Sequence, residues 1–260
     1  MGTGMGKLYL VATPIGNLED ITLRAVRTLR SAGLIAAEDT RRTAKLLARY
    51  KIRKPMVSYH DFNKQRVAPD LVKRMAEGED VALVSDAGSP GISDPGFHLV
   101  NLAIAGRIQV VPVPGPSSVI CALQVSGLPT DSFTFEGFLP RKKGKRGARI
   151  EALAGEASTM VFFESPNRLA ATISELLESF GDRRIAVCRE LTKVYEEVTR
   201  TSLSEAAREL TGKTVKGEVV LVVEGKRKQK RAGRQGMAAG REGTGAERES
   251  AAAREGTGEE

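Results

Sequence analysis

The sequence predicts an α/β fold built as two successive α/β domains. Short apolar segments alternate with amphipathic helical ones along the chain, and the strand candidates are apolar throughout, as in parallel sheets covered by helices on both faces, in both halves. A Pro-rich stretch at residues 112–116 interrupts this pattern near its middle and marks the candidate boundary.

Taken in order, residues 7–13 (KLYLVAT) read as a buried strand ended by Pro14 and Gly16. Asp20 can cap a helix over 21–31, which Gly33 stops. A strand at 34–37, a helix at 40–50 and a short strand at 56–59 follow. A helix at 65–77 closes at Gly78, and 81–85 (VALVS) is a third buried strand. Residues 94–105 form a helix ended by Gly106, with a strand at 109–113. The second half continues the same alternation, with a helix at 117–125, strands at 133–136 and 159–164, a helix at 167–180, strands at 184–189 and 194–199, a helix at 204–210 and a strand at 218–224. Residues 1–6 read as a flexible leader, 7–113 as the first domain and 114–225 as the second. Residues 226–260 hold almost no large apolar side chain and read as a disordered basic tail.

Composition narrows the function. The 260 residues carry a net charge of +8, which favours a polyanionic partner. The cations cluster: a loop at residues 141–149 (RKKGKRGAR) and the stretch 226–234 (KRKQKRAGR) each hold six with no acid. Two separated cysteines and two histidines make a structural zinc site or a disulfide framework a poor reading. No stretch approaches the ~20 apolar residues of a membrane helix, and residues 1–7 lack a signal-like apolar run, so a cytoplasmic protein is expected. The chain has no G-x-x-x-x-G-K-[ST] loop and no G-x-S-x-G elbow, against P-loop and esterase chemistry.

Three loops follow predicted strands at the ends where open α/β sheets bind ligands: residues 13–18, 85–96 and 114–118. Glycine admits close backbone approach and proline presets loop shape. In the second loop Asp94 suits a helix cap, whereas Asp86, leaving a buried strand, suits a hydrogen bond from a ligand amine or hydroxyl. Ser117 and Ser118 read as helix-capping residues whose backbone can also line a cleft. Glu38-Asp39-Thr40-Arg41-Arg42 reads either as a cap with solvated charges or as a substrate-facing acid and base pair. His60 reads as a surface-loop residue and His98 as structural.

At these loops the chain resembles the tetrapyrrole methylase superfamily, and within it the ribosomal RNA small-subunit methyltransferases. The resemblance is carried by LYLVATPIGNLEDITLRAVRTL, AAEDTRRTAKLL, VALVSDAGSPGISDPG, VVPVPGPSSV, FEGFLPRKKGKR, FFESPNRL, CRELTKVYEE and KGEVVLVVEG, in order from Leu8 to Gly225. It implies a cleft between two α/β domains that binds S-adenosylmethionine. It implies 2′-O-methylation of a cytidine ribose (the cytidine-1402 site) in 16S RNA of the small ribosomal subunit, by a homodimer. Carried over by motif, Pro14, Ser85, Asp86, Ala87, Ser89, Ile92, Ser117 and Ser118 border the cofactor from the first loops. Phe163, Leu191, Gly217, Glu218 and Val219 border it from the second domain. Glu38 or Asp39 is expected to take the ribose proton, with Arg41 on a neighbouring phosphate. Arg141, Lys142, Lys143, Lys145 and Arg146 are expected on RNA phosphates. A porphyrin-precursor methylase and a non-catalytic RNA-binding module remain the alternatives.

Overall fold

Ten strands and eight helices, seen in a computed structural model that describes residues 4–226, make two five-stranded sheets. In the first, β1 (Lys7–Val11), β2 (Leu34–Ala37), β3 (Met56–Ser58), β4 (Val81–Val84) and β5 (Gln109–Val113) are all parallel, ordered β3-β2-β4-β1-β5. Every residue of β2 and β4 is buried, as their apolar sequences require of central parallel strands. Helices α1 (Leu23–Ser31) and α2 (Thr40–Arg49) place Val26, Leu29, Leu46 and Leu47 against Val11, Ile35 and Val84 on one face. Helices α3 (Lys64–Ala76) and α4 (Gly96–Ala105) place Leu71, Met75 and Leu99 against Leu8, Leu34 and Leu83 on the other. The chain leaving β1 turns to one face and that leaving β4 to the other. Their carboxyl ends therefore diverge at a switch point, where such sheets open a crevice.

The second sheet joins β6 (Phe133–Phe138), β7 (Thr159–Glu164), β8 (Arg184–Arg189), β9 (Glu197–Ser202) and β10 (Val219–Val223) in the order β6-β7-β10-β8-β9. Only β6 and β7 are parallel; β10 runs antiparallel to β7 and β8, and β9 antiparallel to β8. The parallel expectation thus fails here, because an apolar strand buried on both faces reads the same in either direction. Helices α6 (Lys143–Leu153), α7 (Leu169–Phe180) and α8 (Leu203–Leu210) cover one face. Helix α5 (Ser118–Ser126) covers the other, and Ile15 from the loop after β1 joins that same apolar cluster.

Several local readings change. Thr22, not Asp20, caps α1, its Oγ1 accepting from Ala25 N at 3.0 Å, because Leu18–Asp20 is taken by a 3₁₀ turn. Residues 141–149 are not a loop, since α6 begins at Lys143. The strand expected at 194–199 lies at Glu197–Ser202. Gly6, placed in a flexible leader, is buried; its N–H donates to Met75 O at 2.7 Å, and a Cβ there would sit 2.1 Å from Glu79 O. The expected disordered tail, apart from Lys226, lies outside the described residues.

Candidate functional site

The loops after β1 and β4 are tied together at the switch point. Thr13 and Gly88 exchange backbone hydrogen bonds at 2.9 and 3.0 Å, and Thr13 Oγ1 donates to Ser85 O at 3.1 Å. Gly88 sits at φ +80°, a conformation that disfavours a side chain. Further along, Asp94 Oδ1 accepts from Gly91 N at 2.7 Å and Gly96 N at 2.8 Å, pinning the arc that leads into α4. Pro95 holds the capping position of α4 and makes no side-chain cap bond, so the cap read at Asp94 lies one residue further on; Asp94 instead holds the first amide of the helix, and burial raises its carboxyl above the ordinary range.

Around Asp86 lies a charged cluster. Asp86 Oδ1 accepts from Asp39 N at 3.0 Å, Arg42 approaches Oδ2 at 3.4 Å, and Asp86 N donates to Glu38 Oε2 at 3.3 Å. Burial raises the Glu38 carboxyl above its usual value, with the Asp86, Asp94 and Asp61 carboxylates adding to the rise and the Asp86 amide opposing it. Asp39 behaves oppositely. It caps α2, accepting from Arg41 N at 2.8 Å and pairing with the Arg41 guanidinium, whose hydrogen bond holds the Asp39 carboxyl below its usual value. Thr13, Pro14, Leu18, Arg42, Thr43, Leu46, Ser85 and Asp86 line a recess of about 330 Å³ beside this cluster.

A second recess of about 330 Å³ opens where the two halves meet, between Ile15, Ala87 and Ser118 on one side and Cys188, Leu191, Glu218 and Val220 on the other. Ser117 occupies the capping position of α5 without a side-chain cap bond, and neither its hydroxyl nor that of Ser118 has a partner among the described residues. Next to Leu191, the backbone is strained: Glu190 and Thr192 have φ +51° and +67°, a costly state for β-branched threonine. Thr192 Oγ1 is buried without a partner. Gly16 packs directly on this turn, since a Cβ there would lie 2.4 Å from Lys193 Cγ and 3.0 Å from Leu191 O. Lys193 Nζ bridges Glu190 at 2.7 Å and Glu218 at 3.1 Å. A wider groove of about 990 Å³ lies at the opposite ends of β8 and β10. Arg183 there donates to three backbone carbonyls, those of Phe180, Ala154 and Glu224.

The structure thus brings Pro14, Ser85 and Asp86 to one recess and Ala87, Ser118, Leu191 and Glu218 to the other. Gly217 stands beside them at φ +92° against Glu190. Ser89 is half-buried and lines neither; Ile92 is more than half exposed. Phe163 packs between Phe135 and Phe138 instead of lining a recess. Val219 points into the α6–α8 core, and its neighbour Val220 lines the recess, because adjacent strand residues face opposite sides. Ile15, Cys188 and Val220 are not singled out as site residues by the sequence, and Arg42 is read there only within the acid and base motif at 38–42. Only the alternation along β8 and β10, once their pairing is known, singles out Cys188 and Val220. Burial pushes the Cys188 thiol up to about 11, which makes it an inert wall. His60, read as a surface residue, is half-buried with Nδ1 unpartnered.

Among the basic residues, Arg141, Lys142, Lys143 and Lys145 are exposed at the start of α6. Arg146 is not available to a phosphate: it is buried, and its guanidinium donates twice to Glu175 at 2.7 and 2.6 Å. Helix periodicity turns it inward, which a loop reading of this stretch could not reveal.

The recess suits the methyl donor that the resemblance implies. Apolar walls from Ile15, Leu191 and Val220 match an adenosine ring system. The partnerless hydroxyl of Ser118 on its wall offers a donor and an acceptor to its polar groups. Residues 7–207 match the family model of the tetrapyrrole (corrin/porphyrin) methylases. The ribosomal RNA small subunit methyltransferase I of Halalkalibacterium halodurans is 52% identical over 220 residues, 85% of this chain and 76% of that protein. Its namesake in Thermotoga maritima is 48% identical over 222 residues, 85% of this chain and all of that protein. The crystal structure of uroporphyrin-III C-methyltransferase from Thermus thermophilus, complexed with S-adenosylhomocysteine, superposes with a TM-score of 0.60 at 21% identity. It covers 84% of this chain and 97% of that one.

Proposed function

Because this chain belongs to the tetrapyrrole methylase family, and within it to the ribosomal RNA small subunit methyltransferase I proteins, we propose that it methylates the 2′-oxygen of a cytidine ribose in 16S RNA. It is an S-adenosylmethionine-dependent ribosomal RNA methyltransferase acting on the small subunit. One observation supports the assignment of the site: the recess in which Ile15, Ala87 and Ser118 meet Leu191, Glu218 and Val220, with the unpartnered Ser118 hydroxyl on its wall. In this reading the chain divides into two domains near residue 113, works as a homodimer in the cytoplasm, and presents Arg141, Lys142, Lys143 and Lys145 to RNA phosphates.

Bound S-adenosylmethionine supplies a methyl carbon made electrophilic by its sulfonium. The chain's own residues bind, orient and accept a proton. Ile15, Leu191 and Val220 exclude water from one side of the recess, and Ser117 and Ser118 orient the polar groups held there. Fixing two reactants in one geometry can supply roughly 7–11 kcal/mol of the barrier. Glu38 is the better base of the acidic pair. Its carboxyl is half-buried and raised, so it accepts a hydroxyl proton more readily than an ordinary surface carboxylate. Asp39, committed to capping α2 and to Arg41, positions Asp86 through its backbone amide. Arg41 is paired with Asp39 through Nε and Nη2, but its side chain is almost wholly exposed and leaves Nη1 to meet a phosphate.

The test is to incubate the protein with labelled S-adenosylmethionine and unmethylated small subunits, then map the modified nucleotide by mass spectrometry. Label on a cytidine ribose is expected. Label on a base would overturn the 2′-oxygen assignment, and transfer to a porphyrin precursor with none to subunits would overturn the reading.

A further inference from the structure

Helices α1 and α2 contain seven cations and no acid. Both lie on the same face of the first sheet and are joined at their outer side, where Arg30 Nη2 donates to Tyr50 O at 2.9 Å. On α2, Arg41, Arg42, Lys45 and Arg49 fall within an arc of about 100°, opposite the buried Thr43, Leu46 and Leu47. On α1, Arg24, Arg27 and Arg30 repeat every three residues along the exposed side. Lys51 and Arg53 continue the exposed series beyond α2. Of these nine, Arg24, Arg27, Lys45, Lys51 and Arg53 have no side-chain partner among the described residues.

This arrangement opposes helix stability. Arg41, Lys45 and Arg49 stand at successive i, i+4 positions, where like charges repel. Arg41 and Arg42 lie in the first turn of α2, where the helix dipole disfavours cations. The other layers differ. On the opposite face of the same sheet, three of the four α3 cations, Lys64, Lys73 and Arg74, have an acid partner, in Asp61, Glu77 and Glu79, with Arg66 the exception. Over the second sheet, α7 and α8 carry four acids and one cation. An uncompensated local cost on one face points to a partner outside the chain. The face also begins at the site, since Arg42 lines the recess beside Pro14, Ser85 and Asp86.

We infer that the outer face of α1 and α2 is a second phosphate-binding surface, which carries the RNA strand from the recess at Asp86 along Lys45, Arg49 and Arg53. The inference rests on the reading of the chain as a ribosomal RNA methyltransferase. It adds a surface distinct from the start of α6.

The experiment compares the unsubstituted protein with two triple variants of equal charge change, Lys45→Gln/Arg49→Gln/Arg53→Gln and Lys64→Gln/Lys73→Gln/Arg74→Gln. Binding to unmethylated small subunits is titrated against potassium chloride at fixed magnesium, with calorimetric S-adenosylmethionine affinity and thermal unfolding measured alongside. Each lost phosphate contact removes roughly 0.7–0.9 from the slope of log affinity against log salt. The α2 variant should lose about 2–3 from that slope and bind at least ~10-fold more weakly at 0.1 M salt, with cofactor affinity and unfolding unchanged. The α3 variant should keep most of the slope. An unchanged slope in the α2 variant overturns the inference, and so does an equal loss in both, which would mean net charge alone. A change of sedimentation mass in the α2 variant with an unchanged slope would assign the face to a second copy of the chain instead. If the unsubstituted protein binds neither subunits nor cofactor, the functional reading itself fails.

Discussion

Arg42 holds Asp86 from the side: its Nη1 lies 3.4 Å from Asp86 Oδ2, while the Asp39 amide donates to Oδ1 at 3.0 Å. A carboxylate fixed by one charged and one backbone donor keeps lone pairs for a ligand without freedom to swing. Asp86→Ala should weaken S-adenosylmethionine binding by roughly 10- to 100-fold, the worth of a hydrogen bond to a charged group. Calorimetry checks this, and affinity within twofold of the parent would remove Asp86 from the site.

Glu38→Gln should cut single-turnover methyl transfer by about 10²–10⁴-fold while leaving cofactor affinity intact. In the parent, the rate should rise with pH through the elevated Glu38 value and then level off. Stability runs the other way. Between the ordinary carboxylate range and the raised value, the folded state binds more protons than the unfolded one, so stability falls as pH rises through that window. Glu38→Gln should shrink that decline in thermal unfolding, the raised Asp94 carboxyl keeping the remainder. A rate profile in the variant that matches the parent would rule out Glu38 as the base.

Asp39→Asn separates the two acids. Asparagine caps a helix as well as aspartate does, so turnover and folding at neutral pH should change little. The Arg41 hydrogen bond lowers the Asp39 carboxyl, so its contribution is present above the ordinary carboxylate range and disappears as pH falls through the lowered value. The variant should therefore differ from the parent in the acid limb of its unfolding profile. A thousandfold loss of rate at neutral pH would instead make Asp39 the base.

Gly16→Val tests the contact between the halves. A side chain there meets Lys193 Cγ at 2.4 Å, Thr192 Oγ1 at 2.8 Å and the Leu191 carbonyl at 3.0 Å. Overpacking of this kind costs about 1–3 kcal/mol. The strained 190–193 turn should move, lowering the unfolding temperature and raising KM for S-adenosylmethionine more than it lowers kcat. An unaltered KM in a folded variant would show that the turn does not shape the recess.

Arg146→Ala should destabilise the fold by about 3 kcal/mol, the low end for breaking a buried ion pair, because Glu175 would be left without its bidentate partner. The salt slope of RNA binding should not change. Neutralising the exposed Lys142, Lys143 and Lys145 should do the reverse. A lowered salt slope in Arg146→Ala without loss of stability would return that residue to the RNA surface.

The apolar runs VALVS and EVVLVVE, the Gly- and Pro-rich loops behind them and the helix stops at Gly33 and Gly106 were enough, without coordinates, to specify an α/β chain with ligand loops at strand ends. These are local properties, set by backbone freedom and by burial along one segment. Direction in the second sheet was not legible, because the apolar pattern of β10 does not encode which way its neighbours run. Nor was the choice of Val220 over Val219, which depends on pairing register. Tertiary structure alone decided that Arg146 turns inward to Glu175, that Arg42 meets Asp86 from a position 44 residues earlier, and that Ile15 enters the core of the second sheet. Each depends on side chains brought together across long stretches of chain, and no spacing in a single segment records such a meeting.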